Sequence, residues 1–91
     1  MRKYLMLALF LAATPVIASD DDVATDPALT TETYMGKTLE DVGTSLTGLG
    51  YEVRKSELEN GRMEFKAIKE RRRYEVYVSP ETGRFLRMKR N

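Results

Sequence analysis

The chain has 91 residues, with 15 Lys+Arg against 14 Asp+Glu and no Cys, His or Trp. That length allows one small domain. Without Cys or His, the chain lacks the residues for a cysteine–histidine zinc site, an iron–sulfur cluster, a disulfide framework or a Cys- or His-based triad.

The first eighteen residues differ from the rest. Met1-Arg2-Lys3 is a short basic start, and Tyr4 to Ala18 then runs fifteen residues without a charge. A basic start, a short apolar stretch and a small residue at the cut describe a secretory leader, here residues 1–18 with cleavage near Ala18. A membrane anchor is the alternative, but a spanning helix needs roughly 20 apolar residues, and this run is shorter and holds Pro15. The expected product is therefore periplasmic or secreted, with no stable membrane insertion after cleavage. Loss of Arg2 and Lys3 leaves 13 basic and 14 acidic residues, a net of −1. The charge is polarised: residues 19–41 carry seven acids and one Lys, and residues 42–91 carry twelve basic and seven acidic residues. A mature net of −1 and an export signal both argue against a nucleic-acid partner.

Residues 19–35 are acidic and Thr-rich without a helix or strand period, and read as a flexible spacer. An acidic arm folding onto the basic half is the other reading. Thr38-Leu39-Glu40-Asp41 resembles a capping box, and Leu39, Val42, Leu46 and Leu49 fall on one helical face. Gly50 suits the left-handed residue that ends such a helix. Tyr51-Glu52-Val53-Arg54 alternates as a strand does. Asn60-Gly61 is the strongest hairpin signal in the chain. Met63, Phe65 and Ala67 alternate in a second strand, and Tyr74, Val76 and Val78 in a third. Glu70-Arg71-Arg72-Arg73 joins them as a longer loop, since it has no Gly. Ser79-Pro80-Glu81-Thr82-Gly83 is a turn by composition. In the short last strand Leu86 and Met88 share one side and Phe85 takes the other. The expected core is Leu39, Val42, Leu46, Leu49, Tyr51, Val53, Met63, Phe65, Ala67, Tyr74, Val76, Val78 and Leu86. The fold class is α+β, one N-terminal helix packed on a three- to four-stranded antiparallel sheet.

From Thr38 the order of segments resembles a PepSY-like domain. A short helix runs into Gly50-Tyr51-Glu52-Val53, and Tyr74-Glu75-Val76-Tyr77-Val78-Ser79-Pro80-Glu81-Thr82-Gly83 matches the signature E-V-Y-V-D-P-x-T-G. The likeness covers about residues 36–88, within a domain set at 36–91. The signature Asp is Ser79 here, whose hydroxyl can still cap the turn. The turn between the second and third strands lacks the usual Asp/Asn-Gly pair. Such domains occur in propeptides of thermolysin-type secreted metallopeptidases and alone in exported bacterial proteins. The resemblance implies a stand-alone, non-catalytic interaction module that binds or restrains a peptidase or another envelope protein. It implies no cofactor, no metal and no enzyme activity, and a monomer or weak dimer.

Two surfaces stand out. Ile68, Tyr77 and Phe85 should point away from the helix and form an apolar patch on the open face of the sheet. Arg71, Arg72 and Arg73 would sit at its rim. Strand addition at an exposed edge is a further mode. The alternative function is a periplasmic anion or small-ligand sensor using the Arg71–Arg73 loop. Glu57 and Glu59 share a strand face next to a turn and read as solvated carboxylates, without a calcium-loop spacing.

Overall fold

Leu39–Gly48 is the helix α1, and its ends follow from the residues that flank it. Thr38 is extended (φ −125°, ψ 160°), and its Oγ1 accepts a hydrogen bond from the Asp41 N–H at 3.0 Å. Glu40 and Asp41 lie in the first turn, where carboxylates suit the helix dipole. At the other end Gly50 takes φ +97°. Its N–H donates to Thr47 O, and the Tyr51 N–H donates to Leu46 O, both at 3.0 Å. This paired closure is a Schellman motif, and it delivers Tyr51 into the interior.

The structure is a computed structural model, and it describes residues 23–91. Besides α1 it has five strands: β1 (Val23–Ala24), β2 (Glu52–Glu59), β3 (Arg62–Lys69), β4 (Arg72–Val78) and β5 (Phe85–Arg90). They form one antiparallel sheet in the order β1-β5-β4-β3-β2. The expectation of a helix on a three- to four-stranded sheet is thus corrected. Residues 23–91 are mostly an antiparallel sheet of five strands, with one ten-residue helix. The added strand comes from the stretch read as a spacer, where two paired residues are too few to show a period.

That stretch is built into the fold from Val23 onward. Val23 and Ala24 pair with Lys89 and Met88. Leu29 and Met35 are buried in the core cluster. The Met35 and Gly36 N–H groups both donate to Gly83 O, at 2.7 and 3.2 Å, and the Phe85 N–H donates to Thr33 O. The leader expected over 1–18, with its cut near Ala18, and residues 19–22 lie outside the described residues.

The core cluster takes Val42 and Leu46 from α1, Tyr51, then Met63, Phe65 and Ala67 from β3, Val76 and Val78 from β4, and Phe85 and Met88 from β5. Leu39, Leu49, Val53 and Tyr74 pack against it partly buried. Leu86 does not belong to it and is 44% exposed. The cause is a β-bulge. Tyr77 pairs with Arg87, but the next pair is Val78 with Phe85, so Leu86 is the extra residue. The bulge carries Phe85 to the same side as Met88. The β3–β4 connection is also tighter than expected. Lys69 pairs with Arg72, leaving a two-residue turn in which Glu70 (φ 53°) and Arg71 (φ 70°) are both left-handed.

Candidate functional site

The sheet has a core face, and its other face carries no helix among the described residues. Register sets this outer face out as rows across the strands. Starting at the Asn60-Gly61 turn, the rows are Glu59·Arg62, then Glu57·Glu64·Tyr77·Arg87, then Lys55·Lys66·Glu75·Lys89, then Glu52·Ile68·Arg73. Carboxylates crowd the turn end, and cations crowd the far end.

Tyr77 is the one outer-face residue that is fully covered, at 3% exposure. The Arg62 guanidinium lies 4.3 Å from its ring centroid and the Arg87 guanidinium 4.6 Å. Both are within cation–π range. The Tyr77 hydroxyl donates to Glu75 Oε1, and Glu75 is also 3.8 Å from Lys89 Nζ. Burial pushes the Tyr77 hydroxyl pKa up to about 12, the hydrogen bond to Glu75 adds to it, and Arg87 opposes.

The residues singled out in the sequence do not form one patch. Phe85 is 7% exposed within the core, so it is not on the outer face. Ile68 is half-buried and sits opposite Arg73, while Tyr77 lies four residues farther along β4. Arg71 is in the turn, Arg72 pairs with Lys69 on the core side, and Arg73 faces outward. Adjacent strand residues alternate sides, so the three guanidiniums diverge rather than share a loop. Arg73 borders a cavity of about 300 Å3 with Arg54, Lys66 and Ile68. Arg62, Arg87, Arg54 and Lys66 were missed in the sequence. Taking Glu70-Arg71 as a two-residue turn would have fixed the β3–β4 register and placed Arg62 diagonally from Tyr77.

Glu57, Glu59 and Glu64 bring a carboxylate oxygen each to within 4.8 Å of one another. Arg62 Nε supplies a counter-charge to Glu64 at 3.4 Å. Glu59 is exposed, whereas Glu57 and Glu64 are half-buried at the hairpin end.

A second polar node lies at the core-side mouth of the sheet. The Tyr51 hydroxyl donates to Asp26 Oδ2 at 2.6 Å, and Lys69 Nζ donates to the same oxygen at 3.3 Å. Lys69 Nζ also lies 4.8 Å from the Tyr51 ring centroid. The Tyr51 hydrogen bond, then the Ala28 N–H, then Lys69 hold the Asp26 carboxyl below its ordinary pKa, against some desolvation. Burial, reinforced by Asp26, holds the Tyr51 hydroxyl well above the tyrosine range. An acid of the N-terminal stretch thus does reach the basic half, at Lys69.

The Ser79–Gly83 turn completes the local geometry. Ser79 Oγ accepts from the Glu81 and Thr82 N–H groups, both at 3.2 Å. Gly83 has φ +74°, and a Cβ there would overlap the Tyr34 ring. A family model described as peptidase propeptide and YPEB domain matches residues 2–89. The chain belongs to this PepSY family. The match extends well to the N-terminal side of the resemblance seen at 36–88. Comparisons with curated proteins and with solved structures give no match. In the PepSY signature turn Ser79 stands where the signature has Asp, and its hydroxyl oxygen caps the turn by accepting the Glu81 and Thr82 N–H groups. Its Gly83 is where the segment preceding α1 docks. Membership places the chain with peptidase-propeptide and YPEB domains. No helix among the described residues is long and apolar enough to cross a membrane.

Proposed function

We propose that the chain is an exported, non-catalytic PepSY module that binds or restrains a peptidase or another protein of the cell envelope, using the outer face of its sheet. Family membership supports the class of partner. The basic start and the uncharged stretch from Tyr4 to Ala18 support export. The observation that carries the choice of surface is Tyr77, whose ring has the Arg62 and Arg87 guanidiniums over it on the outer face of the sheet. Tyrosine and arginine are enriched where binding energy concentrates. Here both guanidiniums are already ordered on the ring, so less side-chain freedom is lost on contact. The rows of opposite charge around them would set the orientation of a partner and speed its encounter.

The test is an inhibition assay against secreted metallopeptidases of the same cell, with a short fluorogenic peptide as substrate. The unmodified protein should slow cleavage. The double variant Arg62→Ala, Arg87→Ala should be about tenfold weaker or worse while circular dichroism shows it still folded at the assay temperature. Equal potency in the double variant would refute the surface, and no slowing of any such peptidase would refute a peptidase as the partner. The sensor reading through Arg71, Arg72 and Arg73 has weaker support, since Arg71 lies in the turn and Arg72 and Arg73 face opposite sides of the sheet.

A further inference from the structure

The far end of the outer face holds more positive charge than its neighbours neutralise. Among the described residues, ion pairs within 4.0 Å join Arg54 to Glu52, Arg62 to Glu64, Lys69 to Asp26 and Lys89 to Glu75. Lys55, Lys66 and Arg73 have no such partner among the described residues. Lys55 and Lys66 stand directly opposite one another in the register. Like charges in that relation repel and cost stability. Two nearby carboxylates are engaged elsewhere, Glu75 with Tyr77 and Lys89 and Glu64 with Arg62, while exposed Glu52 lies 3.8 Å from Arg54 and leaves Lys55, Lys66 and Arg73 without a counter-charge.

The backbone shapes the same spot. β2 is bulged between Val53 and Lys55, so Arg54 is an extra residue relative to β3. Bulges re-aim side chains and are over-represented beside binding sites. Arg54, Lys66 and Arg73 come from three successive strands and border one cavity of about 300 Å3, with Ile68 between them. Asn91 lies at its rim, tied by its N–H to Arg73 O at 3.1 Å. No Asp or Glu side chain lines the cavity.

We propose that this cleft binds a small oxyanion, a carboxylate or phosphate group, clamped by Arg54, Lys66 and Arg73 with its apolar body on Ile68. Arginine forks match the two oxygens of such a group, and charge-assisted bonds are the stronger ones. An anion there would also relieve the Lys55–Lys66 repulsion. The cleft is distinct from the Tyr77 cluster, so it stands or falls apart from the peptidase reading.

The experiment titrates the purified protein with inorganic phosphate and, separately, with succinate, against sodium chloride at matched ionic strength. The readouts are the melting midpoint and backbone amide shifts. At least one oxyanion should raise the midpoint saturably and move the amides of Lys66, Ile68 and Arg73. Which of the two does so separates a phosphate ligand from a carboxylate one. Arg73→Gln and Lys66→Gln should each weaken the response by about tenfold. The double variant Arg71→Gln, Arg72→Gln should leave it intact. Responses to both oxyanions no larger than to chloride would overturn the proposal. So would a response that survives Arg73→Gln, or one lost with Arg71 and Arg72.

Discussion

Two turns of the same kind are built from different residues. Asn60 (φ 55°) and Gly61 (φ 75°) close the β2–β3 hairpin, and Glu70 (φ 53°) and Arg71 (φ 70°) close β3–β4. The first pair accepts positive φ at little cost. For a residue with an ordinary Cβ the left-handed conformation costs roughly 1–2 kcal/mol. The double variant Glu70→Asn, Arg71→Gly should therefore raise stability by about 1–2 kcal/mol. Denaturant titration should show a higher midpoint at unchanged slope, and a midpoint that stays or falls would exclude the strain. This turn is also where the sequence became illegible. Turn chemistry made Asn60-Gly61 readable, whereas Glu70-Arg71 carries no such mark and is imposed by the pairing of its flanking strands. Without that register the neighbours of Tyr77 and Arg73 could not be counted across the sheet. Tyr77 itself was legible as outward-facing from its period of two; that it would be roofed by Arg62 and Arg87 was not.

At the scale of elements, legibility tracked the length of the periodic signal. α1 and the faces of β3 and β4 have enough residues to show their period, and their apolar positions lie in or against the core. β5 has six residues and a bulge at its start, so a simple alternation misassigns Phe85 and Leu86. β1 has two residues, and Leu29 and Met35 are isolated apolar residues in a Thr- and Asp-rich run. Their burial depends on docking against Gly83 and β5, which only tertiary structure supplies. Leu29→Ala should thus cost about 2–4 kcal/mol, as for other buried leucines. If the melt of that variant matched the unmodified protein, residues 23–35 would be the spacer first expected. α1 offers the opposite case. A Cβ added at Gly43 meets no heavy atom within 4 Å. Gly43→Ala should stabilise by about 1 kcal/mol, raising the melting midpoint by about 4–8 °C. A lower midpoint would mean that α1 sits closer to its neighbours than the structure has it.

The described residues share one small core with no disulfide to staple it, so polar nodes at its margins carry weight. Asp26, Tyr51 and Lys69 tie the N-terminal stretch to the sheet, and Tyr77 closes the opposite face. Their titration contributes to the pH dependence of the fold. Asp26 is held below its ordinary pKa, so the native state binds its proton less readily than the unfolded chain. Its contribution is complete above about pH 4, the unfolded value, and fades as pH falls through the folded one. Tyr51 and Tyr77 are both raised. Their neutral forms are favoured by folding, so their contribution is complete below about pH 10 and is lost as pH climbs toward the folded values. Stability should decline at both ends of the scale through these groups. Asp26→Asn should flatten part of the acid limb. Tyr77→Phe should remove one of the late phenolate steps seen by ultraviolet absorbance, the step near pH 12. Should that step persist in Tyr77→Phe, or should all phenols ionise together near pH 10 in the folded protein, Tyr77 would not be enclosed between Arg62 and Arg87 as the structure has it.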